Sequence, residues 1–70
     1  MNRFRAKYVV YLYERQNLLF SEIGKRYLHR YKFRYKKYED IGECSSSYGE
    51  SLYKIAKRVL NKPYILTLFN

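Results

Sequence analysis

Apolar and polar residues alternate along residues 3–13. Phe4, Ala6, Tyr8, Val10 and Leu12 fall on one side, and Arg3, Arg5, Lys7, Val9, Tyr11 and Tyr13 on the other. At helical spacing these apolar residues would spread round the whole cylinder. At a period of two they sort into an apolar face and a basic–aromatic face. Val and Tyr also favour extended backbone, so the pattern predicts a first strand.

Residues 17–30 change period. Leu19, Ile23, Tyr27 and Tyr31 recur every four positions, with Phe20 and Leu28 beside them. Glu22, Lys25, Arg26, His29 and Arg30 lie mostly elsewhere. This spacing predicts an amphipathic helix, capped by Asn17 or Ser21. Gly24 in its interior costs about 1 kcal/mol relative to Ala and suggests close packing against a sheet. Residues 31–37 return to alternation, Tyr31, Phe33 and Tyr35 against Lys32, Arg34 and Lys36, and predict a second strand.

Residues 39–51 read as a loop. They hold Glu39, Asp40, Glu43 and Glu50, two glycines and three consecutive serines, with room for a short edge strand at 41–44. Residues 48–60 predict the clearest helix. Tyr48, Leu52, Ile55, Ala56, Val59 and Leu60 make one stripe, the serines before it offer an N-cap, and Asn61 and Pro63 end it. A last β-rich run covers residues 64–69.

The expected fold is therefore α+β, in the order β-α-β-(β)-α-β. Two helices would cover one face of a small antiparallel sheet of three or four strands, the split-βαβ arrangement. With no repeat or linker, residues 1–70 are expected to form one domain. The open sheet face would then carry Arg3, Arg5, Lys7, Tyr11 and Tyr13 from the first strand. Lys32, Arg34, Lys36 and Lys37 would join them from the second.

Charge gives that face a meaning. The net charge is +9 over 70 residues, and residues 25–37 contain seven Lys or Arg and no acid. Such a field attracts polyanions, nucleic acid first among them. The nine residues just named are the expected nucleic-acid contacts. RNA is favoured over DNA, because an aromatic-bearing open sheet suits unpaired bases. An acidic protein surface is the alternative partner, and unpaired sheet edges would allow a homodimer.

Hydrophobic residues make up 47 % of the chain, too many for a typical disordered sequence. No apolar run approaches the roughly 20 residues of a membrane span, and the first residues lack a signal-peptide stretch. Cys44 is the only cysteine, which fits a reducing compartment. The expectation is an intracellular protein, cytoplasmic or nucleoid-associated, with no membrane partner.

Little points to catalysis. His29 and Cys44 stand alone of their types, short of the three or four convergent ligands a metal needs. Glu39, Asp40 and Glu43 match no calcium-loop spacing. No enzyme activity, metal or cofactor is expected.

Two resemblances accompany this reading. The element order with exposed aromatics resembles the RNA-recognition-motif domain in architecture. Residues 31–38, Tyr-Lys-Phe-Arg-Tyr-Lys-Lys-Tyr, lack that family's strand signature, so no site is carried over. Residues 45–60, Ser-Ser-Ser-Tyr-Gly-Glu-Ser-Leu-Tyr-Lys-Ile-Ala-Lys-Arg-Val-Leu, look like a winged-helix recognition helix. Residues 20–27 would be the helix before it and 64–69 the start of a wing. That resemblance implies a DNA-binding regulator whose helix enters the major groove. The long connection from 28 to 47 and the alternation of the first segment depart from the family's pattern.

Overall fold

Asn2 begins the first helix. Its Oδ1 accepts the Arg5 backbone N–H at 2.8 Å, and its carbonyl accepts that of Ala6 at 3.0 Å. The computed structural model describes residues 1–31, 41, 42 and 44–61. Among these it contains three helices, α1 (Arg3–Glu14), α2 (Phe20–Tyr31) and α3 (Ser46–Asn61), and no strand.

The α+β expectation is thus corrected to a small all-α domain. The first predicted strand is helix α1, and Tyr31, expected to open the second, closes α2. Ile41, Gly42 and Cys44 form no edge strand, and Gly42 turns with φ +74°. Residues 32–37 and 64–69 lie outside the described residues. The second and last strands and the wing of the winged-helix alternative fall there.

Alternation misled at α1 because a narrower stripe suffices. Ala6, Val9 and Leu12, three residues apart, are buried, while Phe4 is 83 % exposed. Of the expected apolar face of Phe4, Ala6, Tyr8, Val10 and Leu12, only Ala6 and Leu12 are buried. A capping asparagine and a short apolar stripe against α3 outweigh the β preference of Tyr and Val.

Asn17 stops α1 rather than starting α2. It adopts a left-handed conformation at φ 56°, which Asn tolerates better than most residues. Before it, the Arg15 and Gln16 N–H groups both donate to the Tyr11 carbonyl, and the Leu18 N–H donates to that of Leu12 at 3.2 Å. Neither Asn17 nor Ser21 caps α2, since Leu19 supplies the carbonyl that accepts Ile23 N–H at 2.9 Å. At α3 the serines do act as expected, with Tyr48 N–H directed at Ser45 Oγ over a long 3.4 Å.

Helix α3 packs against both other helices, which touch each other less. The core is Ala6, Val9 and Leu12 of α1, Ile23 and Tyr27 of α2, and Leu52 and Ala56 of α3. Helices α1 and α2 run in roughly opposite directions, since Tyr13 meets Phe20 at one end and Tyr8 meets Tyr31 at the other.

Two glycines set the α2–α3 approach. A Cβ on Gly49 would collide with the Phe20 carbonyl and lie 2.9 Å from Phe20 Cα. A Cβ on Gly24 would lie 2.7 Å from Tyr48 Cδ2, so Gly24 packs against a tyrosine of α3 rather than a sheet. The two obstacles differ: a backbone cannot step aside, but a ring can tilt. Gly49→Ala is expected to destabilise the protein by about 3 kcal/mol, as overpacking against fixed atoms does. Gly24→Ala should fall within about 1 kcal/mol of wild type, because better helix propensity offsets the shifted ring. Urea unfolding of both variants checks this, and equal losses would contradict a backbone contact unique to Gly49.

Candidate nucleic-acid interface

A helix redistributes the residues that alternation placed together. At about 100° per residue, Arg3, Lys7 and Tyr11 share the outer face of α1, and Arg5 and Tyr13 turn to its flanks. Tyr11 is 47 % exposed and its hydroxyl accepts a bond from Gln16 Nε2 at 2.7 Å. Tyr13 is occupied in packing. Its ring stacks on Phe20 at 4.9 Å and 6°, and meets Tyr53 at 4.4 Å. Lys32, Arg34, Lys36 and Lys37 lie outside the described residues. Instead of one open sheet face, the structure brings Arg3, Lys7 and Tyr11 together and gives Arg5 a different neighbourhood.

That neighbourhood is the C-terminal end of α2. The Arg5 guanidinium lies over the Tyr31 ring, 4.7 Å from its centroid. Arg30 lies over Tyr8 at 4.8 Å, is 5.6 Å from the Tyr31 centroid, and donates from Nε to the Tyr31 hydroxyl at 3.2 Å. Tyr8 and Tyr31 meet edge to face at 5.7 Å, and Tyr27 braces Tyr31 from the core at 5.0 Å. Ring faces attract guanidinium by about 0.5–1 kcal/mol at exposed sites, and a helix C-terminus favours cations. Neither Arg5 nor Arg30 forms an ion pair among the described residues. The sequence reading missed Arg30, Tyr8 and Tyr31 as partners in this cluster. The helical i,i+3 spacing of Arg5 and Tyr8 was the available signal, hidden by the strand assignment.

The opposite end holds the three described acids. Glu14 accepts from the Tyr53 hydroxyl at 2.7 Å and from Lys57 Nζ at 3.4 Å. Glu22 pairs with Arg26 at 3.2 Å and Glu50 with Lys54 at 3.6 Å. Exposed pairs of this kind contribute little to stability. They matter more for where they sit. Glu14 and Glu22 flank the α1–α2 turn, and Glu50 follows the glycine that abuts Phe20.

Two surface hollows accompany this end. One, of about 360 Å³, is lined by Tyr13, Asn17, Leu18, Leu19 and Phe20. The other, of about 280 Å³, is lined by Ser21, Glu22, Lys25, Gly42 and Cys44. Among the described residues, no three His, Cys, Asp or Glu side chains converge as for a metal. Burial, with smaller contributions from Tyr27 and Cys44, pushes the Tyr48 hydroxyl pKa up.

No described helix is long and apolar enough to cross a membrane. No protein-family model, curated protein or solved structure matches the chain.

The Glu14–Tyr53 bond generates a pH prediction. The Tyr53 hydrogen bond, and then that of Lys57, hold Glu14 below its ordinary 4.5. The same bond to Glu14, helped by desolvation, pushes Tyr53 from 10.0 to about 12. A lowered carboxylate stabilises the fold above its unfolded pKa and loses that contribution as pH falls through the folded value. A raised phenol stabilises below its unfolded pKa and loses the contribution as pH rises through the folded one. The stability difference between wild type and Tyr53→Phe should therefore be flat from about pH 5 to 10. It should shrink below 4.5 and again between 10.0 and about 12. Urea unfolding across pH measures it; a difference independent of pH would exclude the bond in solution.

Proposed function

We propose that this protein is a small non-enzymatic nucleic-acid-binding protein whose helices present cations to backbone phosphates. The observation that carries the reading is the uneven placement of charge. All three described carboxylates, Glu14, Glu22 and Glu50, lie at the Phe20 end and are paired with bases. The Tyr31 end, where Arg5 and Arg30 both lie against the Tyr31 ring, contains no described acid. Lys7, exposed on the outer face of α1, adds a further cation. An excess cationic field of this kind suits a polymer with regularly spaced negative charge.

Replacing a sheet by helices changes which polymer is favoured. The preference for RNA depended on an open aromatic sheet, and that sheet is absent among the described residues. Phosphates, common to RNA and DNA, are what the helical surface supports binding.

With about five phosphate contacts to a single strand, the logarithm of affinity should fall with the logarithm of salt at a slope of roughly −3 to −4. Lys7→Ala should lower the magnitude of that slope by about 0.7 and weaken all sequences alike. Fluorescence anisotropy with single-stranded and duplex oligonucleotides at several salt concentrations measures both. Absence of binding to any of them, or binding insensitive to salt, would reject the proposal. Co-purification with one acidic polypeptide and no nucleic acid would favour the protein-docking alternative.

A further inference from the structure

We infer that Arg5 and Arg30, seated on Tyr8 and Tyr31, form a preorganised clamp for backbone phosphodiesters. The inference rests on the nucleic-acid reading above and assigns to it a specific, geometry-dependent site. Most surface cations act on phosphate as mobile point charges, and ordering their long side chains opposes binding. Here the ordering is already present. Arg5 lies 4.7 Å from the Tyr31 centroid and Arg30 lies 4.8 Å from that of Tyr8.

Two further features keep the pair in place. Arg30 Nε is fixed by the Tyr31 hydroxyl at 3.2 Å, which leaves its terminal nitrogens to donate elsewhere. Tyr31 is held by Tyr27, a buried core residue, so the platform does not depend on exposed groups alone. A ring face positions a guanidinium without supplying a hydrogen-bond acceptor for its edge. A carboxylate partner would have occupied that edge and cancelled the charge. The planar fork that remains matches phosphate oxygens two at a time.

This predicts that arginine, and not merely positive charge, is required. Lysine keeps the charge and loses both the stacked plane and the paired donors. The full chain carrying Arg5→Lys and Arg30→Lys is compared with wild type and with Arg15→Lys, an exposed arginine outside the cluster. Affinity for a labelled single-stranded oligonucleotide is measured by anisotropy at several salt concentrations, with helicity checked by circular dichroism. The double variant should bind about tenfold more weakly with an unchanged salt slope, because the number of neutralised phosphates is the same. Arg15→Lys should stay within about twofold of wild type. Tyr8→Leu, which removes the seat of Arg30 and leaves every charge, should reproduce part of the loss. Binding by the double variant within about twofold of wild type would overturn the clamp while sparing the nucleic-acid reading. No binding by wild type to any nucleic acid would overturn both.

Discussion

The fold depends on one close approach. Gly49 lets the start of α3 lie directly on the backbone of Phe20, where no side chain fits. From that contact the rest of the packing follows. It brings Tyr53, one turn on, against Phe20 and Tyr13. It also sets Lys57 near Glu14 and lets Leu52 and Ala56 reach the stripe of Ala6, Val9 and Leu12. The core is small for a chain of this charge, so a single misplaced helix would leave little to hold the others.

The periodic segments of the sequence were legible in proportion to how well one face separated from the other. Helix α3 was readable because Leu52, Ala56 and their neighbours recur at helical spacing and serines precede them. Helix α2 was readable in its body, from Ile23 and Tyr27, and misread at its start. Asn17 looked like a cap but ends the previous helix with a left-handed turn. Helix α1 was hidden because its aromatics, Phe4, Tyr8, Tyr11 and Tyr13, occupy half-buried or exposed positions rather than its buried stripe. Its true signals were Asn2 as a cap and the three-residue spacing of its small buried residues. Tyrosine's dual nature, an apolar ring with a wet hydroxyl, blurs any pattern that treats it as simply hydrophobic.

The candidate site suffered from the same error. Taking α1 as a strand put Arg3, Arg5 and Lys7 on one face. A helix keeps Arg3 with Lys7 and sends Arg5 to the end of α2. The positive charge of the surface was legible from composition alone, because acids are few whatever the fold. Which arginines are held in place was not, since cation–ring pairs between α1 and α2 depend on how two helices cross. The sequence also concealed that Tyr13 is a packing residue, as its partners Phe20 and Tyr53 are distant along the chain.

The separation of the paired acids from the ring-seated arginines has a kinetic meaning. At one end of the α1–α2 pair each described acid is paired with a base, and at the other no acid is described. On the proposed function, a polyanion approaching within a Debye length, about 8 Å at physiological ionic strength, would meet a torque as well as an attraction. It would turn the molecule so that its arginine end leads. Collisions would then begin in few orientations, raising the productive fraction of encounters at low salt. On that reading the α1–α2 turn, with its exposed Leu19, would trail and face outward.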